Sequence, residues 1–255
     1  MKLLKYIANL GYGSRREVTL MLKQNRVRRR DGSILREADA FTHDDVLVDD
    51  LPLDVAQGVV LVLNKPVGYV CSTRDASRLI YELLPGRFSA RSPIIAPVGR
   101  LDRDTSGLLL LTDDGQINHR VTSPKAHLPK VYEAQLASDL RGDEADIFSS
   151  GTLMLDNEPR PLEPVALDII DVRRVRVTLT EGRYHQVRRM FAAVGNHVVS
   201  LHRAAIGGLT LGDLASGSWR VLGAEDVSLL FGSLSSDRRQ NLEALPVVHR
   251  LNVAE

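Results

Sequence analysis

Two uninterrupted apolar runs, Val59-Val60-Leu61-Val62-Leu63 and Leu108-Leu109-Leu110-Leu111, constrain this chain more than any other feature. Each has the length of a strand and reads as one buried in a sheet. Pro52 and the stretch Val55-Ala56-Gln57-Gly58 read as a linker, so a main unit begins at about residue 58. Lys130 to Leu136 alternates and reads as a further strand. Val187, Met190, Phe191 and Val194 recur at the spacing of one helix face, and Gly195 can end that helix. The unit runs to about Phe231; residues 232–255 are polar, include Ser235-Ser236-Asp237-Arg238-Arg239, and read as a loosely ordered tail. A length of 255 residues suits one large core-bearing domain with a small module in front.

That front module is where the charge lies. The whole chain carries a net +1, which argues weakly against a nucleic-acid partner. Its distribution argues the other way. Met1 to Arg36 holds ten basic and two acidic residues, a net of +8, and Glu37 to Gln57 holds seven acids and no Lys or Arg, a net of −7. A basic block this dense is the footprint of a phosphate-binding surface or of a solvated face with its counter-charges nearby. Leu3, Ile7 and Leu10 lie on one helix face, and Gly11-Tyr12-Gly13 breaks that helix. Ser14-Arg15-Arg16-Glu17 has the form of a capping box opening a second helix that ends near Asn25. Arg26 to Arg30 reads as a strand, Asp31-Gly32 as a tight turn and Val46-Leu47-Val48 as the returning strand. Two short helices and a small sheet carrying arginines resemble the S4-like RNA-binding domain. That resemblance assigns residues 1–57 to RNA binding, through Lys5, Arg15, Arg16, Lys23, Arg26 and Arg28.

Several classes of chemistry are disfavoured. The single cysteine, Cys71, excludes an intramolecular disulfide framework and a cysteine-built metal cage. Seven histidines are scattered without metal-ligand spacing. There is no phosphate-binding Gly-rich loop, no dinucleotide fingerprint and no nucleophile elbow. No apolar stretch approaches the roughly 20 residues of a membrane helix, and the opening residues lack the pattern of a signal peptide. A monomer of the cytoplasm, using neither metal nor cofactor, is the expectation.

Four segments can carry chemistry. Gly99-Arg100-Leu101-Asp102-Arg103-Asp104 sets two acids among arginines at the mouth of an apolar strand. An acid there caps a turn, or it is a carboxylate kept ionised by a close arginine, which lowers its pKa by roughly 1–3 units. Such a carboxylate serves as nucleophile or base. Lys65, in Asn64-Lys65-Pro66, belongs to an ordinary turn unless other charges converge on it, and Tyr132 reads as a core aromatic. In Glu181-Gly182-Arg183-Tyr184-His185-Gln186-Val187-Arg188-Arg189, two arginines fall near a helix start, where the dipole disfavours them. A carboxylate or a phosphate must compensate.

Taken in order, these segments resemble the RNA pseudouridine synthases, and specifically the branch that modifies small-subunit ribosomal RNA. The resemblance spans about residues 1–231 and implies an α+β protein: the S4-like module, then a mixed, largely antiparallel-sheet catalytic domain over 58–231. It makes Asp102 the catalytic aspartate, Tyr132 the tyrosine packed on the target base, and Arg188 the arginine paired with the aspartate. Lys65 and Arg100 support them, and Arg103, His185, Arg189 and Arg203 join the RNA-contacting set. The implied reaction isomerises a uridine of 16S ribosomal RNA, free or in an assembly intermediate, to pseudouridine. A large-subunit target, or a non-catalytic RNA-binding assembly factor of the same fold, are the alternatives.

Overall fold

A computed structural model describes residues 1–232 of the chain, so the polar tail expected beyond Gly232 lies outside the described residues. The front module follows the local signals closely. Helix α1 (Leu3–Asn9) buries Leu3 and Ile7, and α2 (Arg15–Lys23) opens on a complete capping box between Ser14 and Glu17. Strands β1 (Val27–Arg29), β2 (Val46–Val48) and β3 (Leu51–Pro52) form a three-stranded antiparallel sheet. Leu3, Ile7, Leu10, Val18, Val27, Leu35, Val46 and Val48 make its own small core.

Pairing β1 with β2 folds the acidic stretch back onto the basic one. Asp49 takes the guanidinium of Arg26 through two bonds of 2.6 Å, and Asp45 takes Arg29. Arg26, expected on RNA, is thus spent largely on Asp49, while Arg28 stays exposed with its Nε on the Asn25 carbonyl at 3.0 Å. Lys5, Arg15, Arg16 and Lys23 are exposed and make no ion pair among the described residues.

The second unit is built on a nine-stranded sheet. Its strands are β4 (Val60–Lys65), β5 (Ala96–Val98), β6 (Thr105–Thr112), β7 (Lys130–Leu136), β8 (Ala166–Asp171), β9 (Arg174–Leu179), β10 (Val198–Ile206), β11 (Leu209–Thr210) and β12 (Trp219–Val221). The main order is β12-β4-β6-β10-β7-β9-β8, every pairing antiparallel except β6 with β10. The two apolar runs become β4 and β6, buried on both faces. Helices α3 (Gly86–Ser89), α4 (Gly115–Thr122), α5 (Glu144–Ser149), α6 (Gln186–Ala193) and α7 (Ala224–Phe231) complete the unit. Met190 and Phe191 of α6 join Val175, Val177, Leu179 and Phe148 in one core, while Val60, Val62, Leu108, Leu110 and Leu230 belong to another.

One row across the sheet positions the site. Register sets Lys65 opposite Gly107, Gly107 beside Arg203, and Arg203 opposite Tyr132. Paired residues share a face, so Lys65, Arg203 and Tyr132 point the same way. Gly107 is forced: its φ is +106°, and a Cβ there would lie 2.3 Å from the Arg203 carbonyl oxygen.

The segment read as a linker is tied down. Arg91 donates to the carbonyls of Val55 (2.8 Å) and Ala56 (3.0 Å) and to the Asp113 carboxylate (3.0 Å). Gly58 N donates to the other Asp113 oxygen at 2.9 Å, and Gln57 reaches the Ser92 carbonyl. Asp54 pairs with Arg87, whose guanidinium lies over the Tyr12 ring of the front module.

Candidate active site

Asp102 sits on the tight loop entering β6, its side chain about one third exposed. Lys65 fixes that loop from beneath. This lysine is fully buried, and its Nζ donates to the carbonyls of Thr105 (2.8 Å), Asp102 (3.0 Å) and Pro66 (3.1 Å), with Arg103 O at 3.5 Å. Burial pushes the Lys65 ammonium below the usual lysine range. Its role is to fasten backbone, which explains why a lysine at a strand end matters here. The Gly68 amide also donates to Arg103 O, at 2.7 Å, so the loop is held from two segments.

Arg188 does not pair with Asp102, contrary to expectation. Its Nη2 meets the Asp104 carboxylate at 3.0 Å, and its Nη1 donates to Val198 O at 2.8 Å. The Asp102 carboxylate instead faces His185, with Nε2 to Oδ1 at 3.3 Å. The reason lies at the start of α6: His185 is its N-cap, in the left-handed region at φ 50° and ψ 33°, and this kink aims the imidazole at the loop. Arg188, three residues on, reaches the far side of the same loop.

Arg203 and Arg189 are also not surface contacts. Arg203 is 3% exposed on β10; its Nε donates to Leu108 O at 2.7 Å and its Nη1 to the Tyr132 hydroxyl at 3.4 Å. Being in the middle of the sheet, it faces the row's shared side rather than solvent. Its Nη2 is buried without a partner among the described residues. Tyr132 is half-buried and touches two separate cores, so its ring stands at the seam between them. Arg189 donates to Glu158 (2.7 Å), to Tyr184 O (3.1 Å) and to Asp156 O. Glu158 also takes Arg183, and the Arg189 bond chiefly holds its carboxyl below the usual range. The unfavourable arginines at the helix start are therefore compensated by carboxylates, Asp104 for Arg188 and Glu158 for Arg189.

Arg100 and Arg103 flank Asp102 and are exposed. Sequence reasoning left out Glu158, Glu181 and Gln186. Glu181 accepts from Arg183 (3.0 Å) and Gln186 (2.9 Å), so these residues brace the turn carrying His185. The signal for them was the unexplained pair of arginines. Among the described residues no cluster of three His, Cys, Asp or Glu side chains could hold a metal, and no helix is long and apolar enough to cross a membrane.

Known proteins are similar to this chain in sequence and fold. The family model described as RNA pseudouridylate synthase matches residues 59–193. Ribosomal small subunit pseudouridine synthase A of Escherichia coli (strain K12) is 44% identical over 237 residues, covering 89% of this chain and 99% of the relative. The enzyme of the same name from Yersinia pestis is 43% identical over 235 residues, covering 89% and 97%. A solved structure described as a crystal structure of pseudouridylate synthase superposes with a TM-score of 0.65 at 37% identity, covering 90% of this chain and 99% of the other.

Proposed function

Because this chain belongs to the RNA pseudouridylate synthase family, an isomerase family, we propose that it converts a uridine of 16S ribosomal RNA to pseudouridine with Asp102 as the reacting carboxylate. The supporting observation is the fixed loop: an accessible carboxylate on a strand edge, fastened by a buried lysine at one end of a row that ends in Tyr132. The small-subunit assignment follows the relatives, whose match reaches well beyond the catalytic segment.

The reaction needs no net change of atoms. The target uridine leaves its stack, at a cost of a few kcal/mol. Asp102 attacks the ribose or takes a proton from it, and the N1–C1′ bond breaks. The uracil turns and C5 bonds to C1′, which displaces the Asp102 carboxylate if it attacked there; if Asp102 took a ribose proton instead, that proton returns to the ribose. The C5 proton then leaves and N1 regains one. No oxidant, reductant or cofactor enters this balance. Tyr132 packs against the base and is positioned for the C5 proton. Arg203 orients its hydroxyl, while Arg188 steadies the loop through Asp104. The S4-like module, residues 1–57, adds phosphate contacts. Incubating 16S transcripts or assembly intermediates with the protein and mapping pseudouridines should reveal one new site. Modification confined to large-subunit RNA would overturn the target, and binding without product on any RNA would leave an assembly factor.

The front module has its own test. Deleting it would strip the cover from Arg91 and Arg87, so charge removal is the cleaner change. Replacing Arg15, Arg16 and Lys23 together by Gln should reduce the slope of log K against log salt by about two. These side chains are exposed and make no hydrogen bond or ion pair among the described residues, so the melting temperature should stay put. An unaltered slope in a binding titration would assign the module elsewhere.

A further inference from the structure

Tyr184 is an oddity that the chemistry above leaves unused. It is 74% exposed, the most exposed aromatic ring among the described residues, yet it is not on a loose loop. Its ring lies flat on His185, centroids 3.9 Å apart and planes within 15°. His185 in turn faces Asp102 at 3.3 Å. The backbone between them is braced on both sides. Arg189 donates to the Tyr184 carbonyl at 3.1 Å. Arg183 is held by Glu181, Glu158 and the carbonyls of Arg160 and Pro161, and its amide donates to Gln186 at 2.9 Å. His185 keeps a left-handed backbone, which costs a non-glycine residue energy and persists only where surroundings enforce it. The segment thus uses a network of buried and half-buried charges to present one bare aromatic face beside the reacting carboxylate.

Resting on the pseudouridine synthase reading, we propose that Tyr184, backed by His185, is a stacking platform for the base next to the target uridine. Extruding a uridine opens the strand and leaves its neighbour without a stacking partner on one side. A flat ring already stacked on His185 replaces that partner at less entropic cost than a free side chain would. Stacking tolerates any base, since every base has a π-face. The Tyr184–His185 pair therefore strengthens binding without choosing a sequence, and the cationic loop arginines Arg100 and Arg103 supply the backbone contacts on the same rim.

The test is a mutant cycle on a short RNA stem–loop containing the modified uridine, with 5-tritiated uridine so that turnover releases tritium. Tyr184→Ala should raise KM by about 5- to 150-fold, with most of the loss in KM rather than kcat. Tyr184→Phe and Tyr184→Trp should restore it, since they keep a flat ring. Removing the base from one flanking nucleotide should weaken wild type and leave Tyr184→Ala almost unaffected, because the two changes delete the same contact. If the losses multiply at both flanking positions, or if Tyr184→Ala leaves KM unaltered in an active enzyme, the platform is wrong. A preparation inactive on every RNA overturns the pseudouridine synthase reading, and this inference with it.

Discussion

Asp102→Asn should reduce pseudouridine formation at least about 10⁴-fold in kcat while leaving RNA affinity within about threefold. The asymmetry follows from how the loop is fastened. Lys65 binds the carbonyl oxygens of Asp102 and Thr105, not the Asp102 carboxylate. The loop therefore keeps its shape when the side chain becomes an amide of equal size. His185 Nε2 lies 3.3 Å from the carboxylate without a hydrogen bond to it, so an amide there leaves no donor stranded. What disappears is the negative charge, and with it the nucleophile or base. Tritium release from RNA carrying 5-tritiated uridine measures the first quantity, and fluorescence anisotropy with the same RNA the second. Activity within tenfold of wild type would remove Asp102 from the reaction. Lost binding would mean that the carboxylate holds RNA or fold rather than chemistry.

The largest effect on stability belongs elsewhere, at Arg91. Its side chain and that of Asp113 are 0% and 1% exposed, so the pair is sealed from water. Replacing both partners of such a pair by apolar groups is often tolerated, but removing one leaves an uncompensated buried charge and costs about 3–5 kcal/mol. Arg91→Met should do this and also release the carbonyls of Val55 and Ala56. For a chain of this size the melting temperature should fall by about 6–20 °C. Adding Asp113→Asn removes the stranded charge but keeps an acceptor for the Gly58 amide. The double variant should recover at least half of the loss. Calorimetry on the two variants decides it. A fall below about 2 °C for the single change would show that water reaches Asp113.

The two halves of the chain differ in how much their sequence discloses. In the front module the deciding interactions are local. A capping box spans four residues and opens α2 where the pattern puts it; the Asp31-Gly32 turn, however, returns the chain only to Ile34, which bridges Arg28, and β2 reaches β1 after a longer connection. The apolar runs of the second unit disclose β4 and β6, though β6 begins at Thr105, earlier than the leucines suggest. Ser106 and Gly107 look like loop but are recruited by parallel pairing with β10. Partners of charged groups were the least legible. Asp102 and Arg188 share a sequence motif order, but their pairing depends on which side of a three-residue loop each element approaches. That side is set by the left-handed turn at His185, which a single sequence does not announce. Arg203 looks like one more surface arginine because strand parity in a central strand is fixed by register with two neighbours. The reading of a misplaced arginine pair in α6 fared better: the dipole argument demanded a carboxylate or a phosphate, and the carboxylates of Asp104 and Glu158 are there.

The row from Lys65 through Gly107 and Arg203 to Tyr132 has a further consequence, for motion. It crosses central strands hydrogen-bonded on both sides, the part of a domain that opens only when the whole domain unfolds. Around it the exposed side chains of Arg100 and Arg103 turn between rotamers on far shorter timescales, while the backbone that carries Arg103 stays fastened. The enzyme can thus adjust its rim to an incoming strand of RNA while the floor of the candidate site stays still. Such a division lets recognition drift over evolutionary time, one loop after another, without disturbing the geometry on which bond exchange depends.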